Sequence, residues 1–223
     1  GAIAAIQTAN VDATLRINKG TYSEQVALSS SFSASLHVVG EGSEVVRWKA
    51  TGNSQTIFDV QSGVTEYVSI SGIWLDNGTF TGCKGLNADA ADGFLKECRF
   101  TTGGSSTSTG AEIGSGSNSV MVSDCIFGDS GIDAAGARAG EGLDVQGALL
   151  AIVKNCKFET ATGLTVLNLN AHVSGCWLNC TTLDVAVVGS GTLGHALFNN
   201  CRWSNLTVTG GGDNLVFVGN NDS

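Results

Sequence analysis

Six segments of the chain repeat one pattern at the spacing of a solenoid coil. They are VSISGIWL from Val68, GFLKECRF from Gly93, VMVSDCIF from Val120, AIVKNCKF from Ala151, AHVSGCWL from Ala171 and ALFNNCRW from Ala196. Aligned, they bring Ile73, Cys98, Cys125, Cys156, Cys176 and Cys201 to one position. Three residues before it stand Ile70, Leu95, Val122, Val153, Val173 and Phe198; two after it stand Leu75, Phe100, Phe127, Phe158, Leu178 and Trp203. The steps between aligned positions are 25, 27, 31, 20 and 25 residues.

Apolar residues at every second position mark strands with one face buried. The alternation breaks once per segment, at Gly72, Glu97, Asp124, Asn155, Gly175 and Asn200. Most of these are Gly, Asn or Asp, which tolerate turn conformations. Each unit therefore reads strand, sharp turn, strand. A third strand follows in each, as apolar-x-apolar triplets such as Leu86-Asn87-Ala88, Ala111-Glu112-Ile113, Leu143-Asp144-Val145 and Leu183-Asp184-Val185. A unit this small cannot bury its apolar face alone and must stack on its neighbours. The expectation is an all-β right-handed parallel β-helix with three short strands per coil. About nine coils at ~4.8 Å each give a stack roughly 40 Å long. Leucine-rich repeats require a stricter Leu and Asn frame, and propeller blades four antiparallel strands; neither absorbs such variable steps.

Composition agrees. Glycine numbers 31, proline is absent, and hydrophobic residues make up 42% of 223 residues, as many short strands and tight turns require. The reading is one domain over residues 1–223, expected to be part of a longer polypeptide because the chain starts without Met. No apolar run approaches the ~18 residues of a membrane helix. A formal charge of −9 opposes nucleic acid and anionic membranes, whose phosphates are held mainly by Lys and Arg.

The N-terminal quarter resembles a known family. LRINKGTYSEQVAL, from Leu15 to Leu28, and LHVVGEG, from Leu36 to Gly42, are similar to the opening coils of pectin methylesterases and other pectin-lyase-like proteins. The segment Ala2 to Thr8 resembles the helix that caps their first coil. The resemblance implies the β-helix fold but does not carry the esterase residues. The Gln-Asp-Thr and Gly-Arg-Pro-Trp segments are missing, and Asp124 to Gly128 is an ordinary coil whose Cys125 and Phe127 occupy core positions.

Three outward columns carry the candidate chemistry. The first runs Asn87, Glu112, Asp144, Thr165, Asp184 and Thr207. Glu112 and Asp144 on adjacent coils would set two carboxylates ~5 Å apart, the spacing of a retaining glycosidase pair. They are the candidate catalytic residues, and Ca²⁺ is the one cofactor such oxygens would suit. The competing reading makes them solvated surface acids, favoured because the column holds no Arg or Lys. The second column, Trp74, Arg99, Ile126, Lys157, Trp177 and Arg202, alternates aromatics with cations. Trp74, Arg99, Lys157, Trp177 and Arg202 are candidate glycan-binding residues, weighed against simple cover of the sheet. The third, Ser69, Phe94, Met121, Ile152, His172 and Leu197, is apolar where solvent is expected. Phe94, Met121, Ile152 and Leu197 are expected to form a subunit interface, unless the loop from Thr101 to Asn118 folds over them.

The seven cysteines form no Cys-x-x-Cys pair and have no zinc-like spacing with His37, His172 or His195. They are read as buried apolar residues, free to fold in a reducing cytoplasm. The functional expectation is a structural and binding module of a virion fibre, spike or decoration protein, or of an adhesin, at a virion or cell surface. It is expected to be a homo-oligomer, a trimer first, with a surface polysaccharide as a candidate partner. The alternative is a polysaccharide hydrolase or Ca²⁺-assisted lyase.

Overall fold

In the computed structural model the chain winds into a right-handed parallel β-helix. The described residues are 2–29, 31–62, 64, 67–89, 92–114, 116–147, 150–167, 170–189, 195–203, 206–210 and 215–222. They form three wholly parallel sheets of nine, nine and eight strands. The first sheet runs from Ala13–Ile17 to Leu215–Val218, the second from Gly20–Tyr22 to Asn221–Asp222, and the third from Val26–Leu28 to Leu206–Gly210. Every third strand returns to the same sheet, so each coil contributes once to each face. The helix Ala2–Ala9 lies over the first coil, with Ile3 and Ile6 packed against the core.

The turn between the first and second sheets explains the break in the repeat. Glu97, Asp124, Asn155 and Asn200 all have φ between 51° and 55°, and Gly72 and Gly175 have φ of 65° and 63°. One left-handed residue per coil swings the chain through the corner. The next residue then points inward, which is why Ile73 and the five aligned cysteines are buried one above another. All seven thiols are free. Burial and hydrogen bonds from the flanking thiols push Cys125 well above the usual thiol range. A bond from Cys156 takes Cys176 to about 12. Cys125 and Cys176 are therefore neutral core side chains.

Beyond that corner the large residues stack in kind. Phe100, Phe127 and Phe158 lie face to face with centroids 4.7 and 4.8 Å apart. The third sheet makes room for them with a glycine ladder, Gly85, Gly110, Gly142 and Gly163. A Cβ on Gly142 would fall 2.6 Å from the Gly163 carbonyl oxygen and 2.9 Å from the Phe158 ring. The ladder also disturbs the alternation. Lys84 and Asn87, three residues apart, are both half-exposed, although strict alternation would put them on opposite faces.

One register differs from expectation. Leu164 pairs with Val185, and Thr165 with Ala186, so the strand Leu183–Gly189 is shifted two residues from the triplet alignment. Asp184 consequently leaves the outward column for the position after Gly163. There it is buried, and its Oδ1 accepts the Cys180 backbone N–H at 2.7 Å. It helps hold a corner and is not a surface acid.

Candidate functional site

The third sheet gathers the acids. Glu112 is the register partner of Asn87 on one side and Asp144 on the other, so the two carboxylates expected to be adjacent are adjacent. Lys84, displaced outward beside the glycine ladder, donates to Glu112 Oε1 at 2.7 Å. The expectation that no cation serves this column is thereby corrected. The strand Glu141–Gln146 brings a third carboxylate, Glu141, bonded to the Thr165 hydroxyl. Asp144 is buried, with Oδ2 accepting from Gln146 Nε2 at 2.5 Å and Oδ1 without a partner among the described residues.

Burial dominates the electrostatics of this group. It pushes Glu141 up to about 7, with the Thr165 hydroxyl opposing and the charges of Asp144 and Glu112 adding. Asp144 is raised for the same first reason, countered by Gln146 and raised further by Glu112. A carboxyl that holds its proton near neutrality, beside a carboxylate paired to lysine, can supply an acid and a base. Among the described residues, no three His, Cys, Asp or Glu side chains converge as metal ligands. Sequence reading missed Lys84 and Glu141. A signal was present in KGLN, TGAE, EGLD and TGLT, where a residue precedes the ladder glycine in each coil.

On the second sheet the expected column is contiguous in register, from Trp74 through Arg99, Ile126, Lys157 and Trp177 to Arg202. It divides into a closed and an open half. The Trp74 ring lies between two guanidinium groups, Arg47 at 4.1 Å and Arg99 at 4.2 Å, so both of its faces are taken. Its Nε1 donates to Thr101 Oγ1. Arg99, expected to face solvent, is buried. The loop 128–140 crosses over it and sets Asp133 Oδ1 2.8 Å from its Nη2. In the open half Lys157 lies 5.1 Å over the Trp177 ring and pairs with Glu159 and Asp129. Trp177 is 38% exposed and Arg202 also faces solvent.

The first sheet carries the apolar stripe in unbroken register, Ser69, Phe94, Met121, Ile152, His172, Leu197 and Val216. At its upper end Ser69 is buried, bonded to His37 Nδ1 at 2.7 Å. Further along, Met121 is 39% and Val216 49% exposed. The loop after Thr101 does not cover Met121. It turns toward the previous coil, where the Gly104 N–H donates to the Phe80 carbonyl at 2.7 Å. A separate cavity of about 410 Å³ lies beneath the N-terminal helix beside Trp48 and Tyr22, lined by none of the column residues.

No protein-family model matches the sequence, and no curated protein does. Among solved structures, the chain is similar to the ORF18 protein of Geobacillus virus E2. The two share 15% identity and a TM-score of 0.49, over 98% of this chain and 56% of that one. The chain thus spans about half the length of that protein.

Proposed function

We propose that this chain is a structural and binding β-helix of a virion fibre, spike or decoration protein, or of an adhesin, that associates with copies of itself through its first sheet. The apolar stripe carries this reading. Phe94, Met121, Ile152 and Leu197 are outward residues on a face where water would select polar ones. Met121 is exposed and Phe94, Ile152 and Leu197 are half-buried. Covering them between subunits therefore contributes, at each position, part of the about 1.5–3 kcal/mol of a fully buried apolar side chain, set against the entropy of association. The open half of the second-sheet column, Lys157, Trp177 and Arg202, supports a surface polysaccharide as ligand. It offers one face of Trp177 and the exposed Arg202 guanidinium, while Lys157 is held by Glu159 and Asp129. Light scattering of the wild type at tens of micromolar tests the reading. An oligomeric mass is expected, and Met121→Lys with Ile152→Lys should dissociate it without changing the β-rich circular dichroism spectrum. A monomeric wild type would sink the proposal.

A second reading, polysaccharide hydrolysis, is favoured by one observation: Glu112 and Asp144 are register partners and Glu141 beside them titrates near neutrality. New reducing ends from a polysaccharide panel, lost in Glu112→Gln and Asp144→Asn, would establish it. Activity that survives both changes removes these residues.

A further inference from the structure

The cavity of about 410 Å³ under the helix Ala2–Ala9 is used by neither function proposed above. Its size falls within the about 300–1,000 Å³ of small-molecule sites. The helix contributes Ile3 and Gln7 to its wall, the first coil Leu15 and Val26, and the second coil Trp48. Two donors there are unsatisfied. Trp48 is 2% exposed, and its Nε1 has no hydrogen-bond partner among the described residues. Gln7 Nε2, also withdrawn from solvent, has none either. A buried N–H left unpaired costs about 1–3 kcal/mol, so two at one cavity call for an acceptor.

The rest of the lining narrows what supplies that acceptor. Arg16, Glu24 and Gln25 are exposed where the cavity meets solvent, and among the described residues their side chains make no hydrogen bond or ion pair. Arg16 and Glu24 carry opposite charges, so the opening favours neither sign of ligand. A hydrocarbon would pack on Ile3, Leu15 and Val26 but leave both buried N–H groups unpaired. A carboxylate would satisfy them, yet share the cavity with Glu24 in a chain of net charge −9. A neutral sugar ring meets every part of the wall. Its oxygens accept from Trp48, Gln7 and Arg16, its hydroxyls donate to Glu24, and its C–H faces pack on the aliphatic side chains. Tyr22, whose hydroxyl donates to the Asn18 carbonyl at 2.8 Å, sets its ring 6.1 Å from that of Trp48 and adds an aromatic wall.

We propose that the cavity beneath the N-terminal helix binds a neutral sugar residue, free or at the end of a glycan, with Trp48 Nε1 and Gln7 Nε2 donating to its oxygens. The unbranched Gln7 side chain can turn aside to admit the ring and then close on it. This site is separate from the second-sheet column and does not depend on self-association.

The indole N–H signals in NMR spectra report on the site. The chain has four tryptophans, and Trp48→Phe and Trp177→Phe assign two of the four signals by loss. The wild type is titrated with glucose, galactose and N-acetylglucosamine to tens of millimolar. At least one should move the Trp48 signal and leave that of Trp177 in place. Gln7→Met keeps the length of the side chain and loses the donor, and should raise the Kd about five- to tenfold. If a short oligosaccharide of the binding sugar moves the same signal, a glycan end enters the cavity; if the monosaccharide alone does, the ligand is a free sugar. A Trp48 signal that moves only with hexanoate, or with no probe, overturns the proposal, and ordered water or another ligand then pairs the donors. Movement of Trp177 alone overturns it as well, while supporting the second-sheet column as the glycan surface.

Discussion

Arg99 Nη2 donates to Asp133 Oδ1 across 2.8 Å, and both side chains are withdrawn from water, 1% and 3% exposed. Arg99 Nε and Nη1 find no partner among the described residues. Asp133 is thus the counter-charge of a guanidinium that the loop 128–140 has sealed against the Trp74 ring. Removing one member of a buried pair strands the other, whereas removing both leaves only a packing problem. Asp133→Ala should destabilise the protein by about 3–5 kcal/mol. Arg99→Met with Asp133→Leu should recover much of that loss. Urea unfolding of the three variants and the wild type measures it, and a single variant as stable as the double would refute the role given to Asp133.

That pair marks the limit of what the sequence discloses. Period-two alternation and an aligned apolar position suffice for the coils, the thiol ladder, the register of the columns on the first and second sheets, and the acidic column as far as Thr165. These follow from local geometry repeated coil by coil. The step from Cys125 to Cys156 is the longest, and its extra residues do lie in a loop. Nothing in the spacing tells that the loop folds back to place one carboxylate on Arg99. The glycine ladder was a second blind spot. By perturbing alternation it turns Lys84 and Glu141 outward, so strict period-two reading hides the residues that shape the acidic cluster. Asp184 was misplaced because two apolar-x-apolar triplets, Leu183 to Val185 and Val185 to Val187, compete for one register, and the structure pairs the second.

The buried ladder makes a firmer prediction. A serine hydroxyl at Cys125 or Cys156 would occupy a site shaped for a sulfur, whose Sγ donates to the Ser123 carbonyl at 3.2 Å from Cys125 and to the Lys154 carbonyl at 3.2 Å from Cys156. The shorter hydroxyl reaches those carbonyls less well, and its desolvation is poorly repaid. Cys125→Ser and Cys156→Ser should each destabilise by about 1–3 kcal/mol. In native buffer the five ladder thiols should resist a maleimide reagent for hours and react at once in denaturant. Rapid native labelling of all five would contradict their burial.

Glu97 stands at a corner where other coils place Gly, Asn or Asp, and holds φ of 54°. A left-handed backbone crowds the Cβ of an L residue. The Glu97 ion pair with Lys96, 3.4 Å long and exposed, contributes little in return. Glu97→Gly should therefore raise stability by about 1 kcal/mol, the relief of strain exceeding the added entropy of the unfolded chain. A fall in the urea midpoint with unchanged m-value would show that the corner tolerates glutamate without strain.

Glu141 links the acidic cluster to pH. Its folded carboxyl titrates at about 7 against an ordinary 4.5, chiefly because burial disfavours the charge. Between those values the folded state keeps a proton that the unfolded chain releases, so stability falls as pH rises through this window and levels off above it. The full shift sets a ceiling of roughly 3 kcal/mol, reduced by the side chain's residual access to water. Glu141→Gln keeps the shape and an acceptor for the Thr165 hydroxyl while removing the charge. It should leave stability nearly unchanged at pH 5 and raise it by about 1–2 kcal/mol at pH 8. Equal urea midpoints at both pH values would mean that Glu141 ionises as a solvated surface acid does, and the acid role suggested for it would fall. Stabilisation at pH 8 accompanied by loss of hydrolytic activity would instead identify a carboxyl kept at a cost to stability because the site uses its proton.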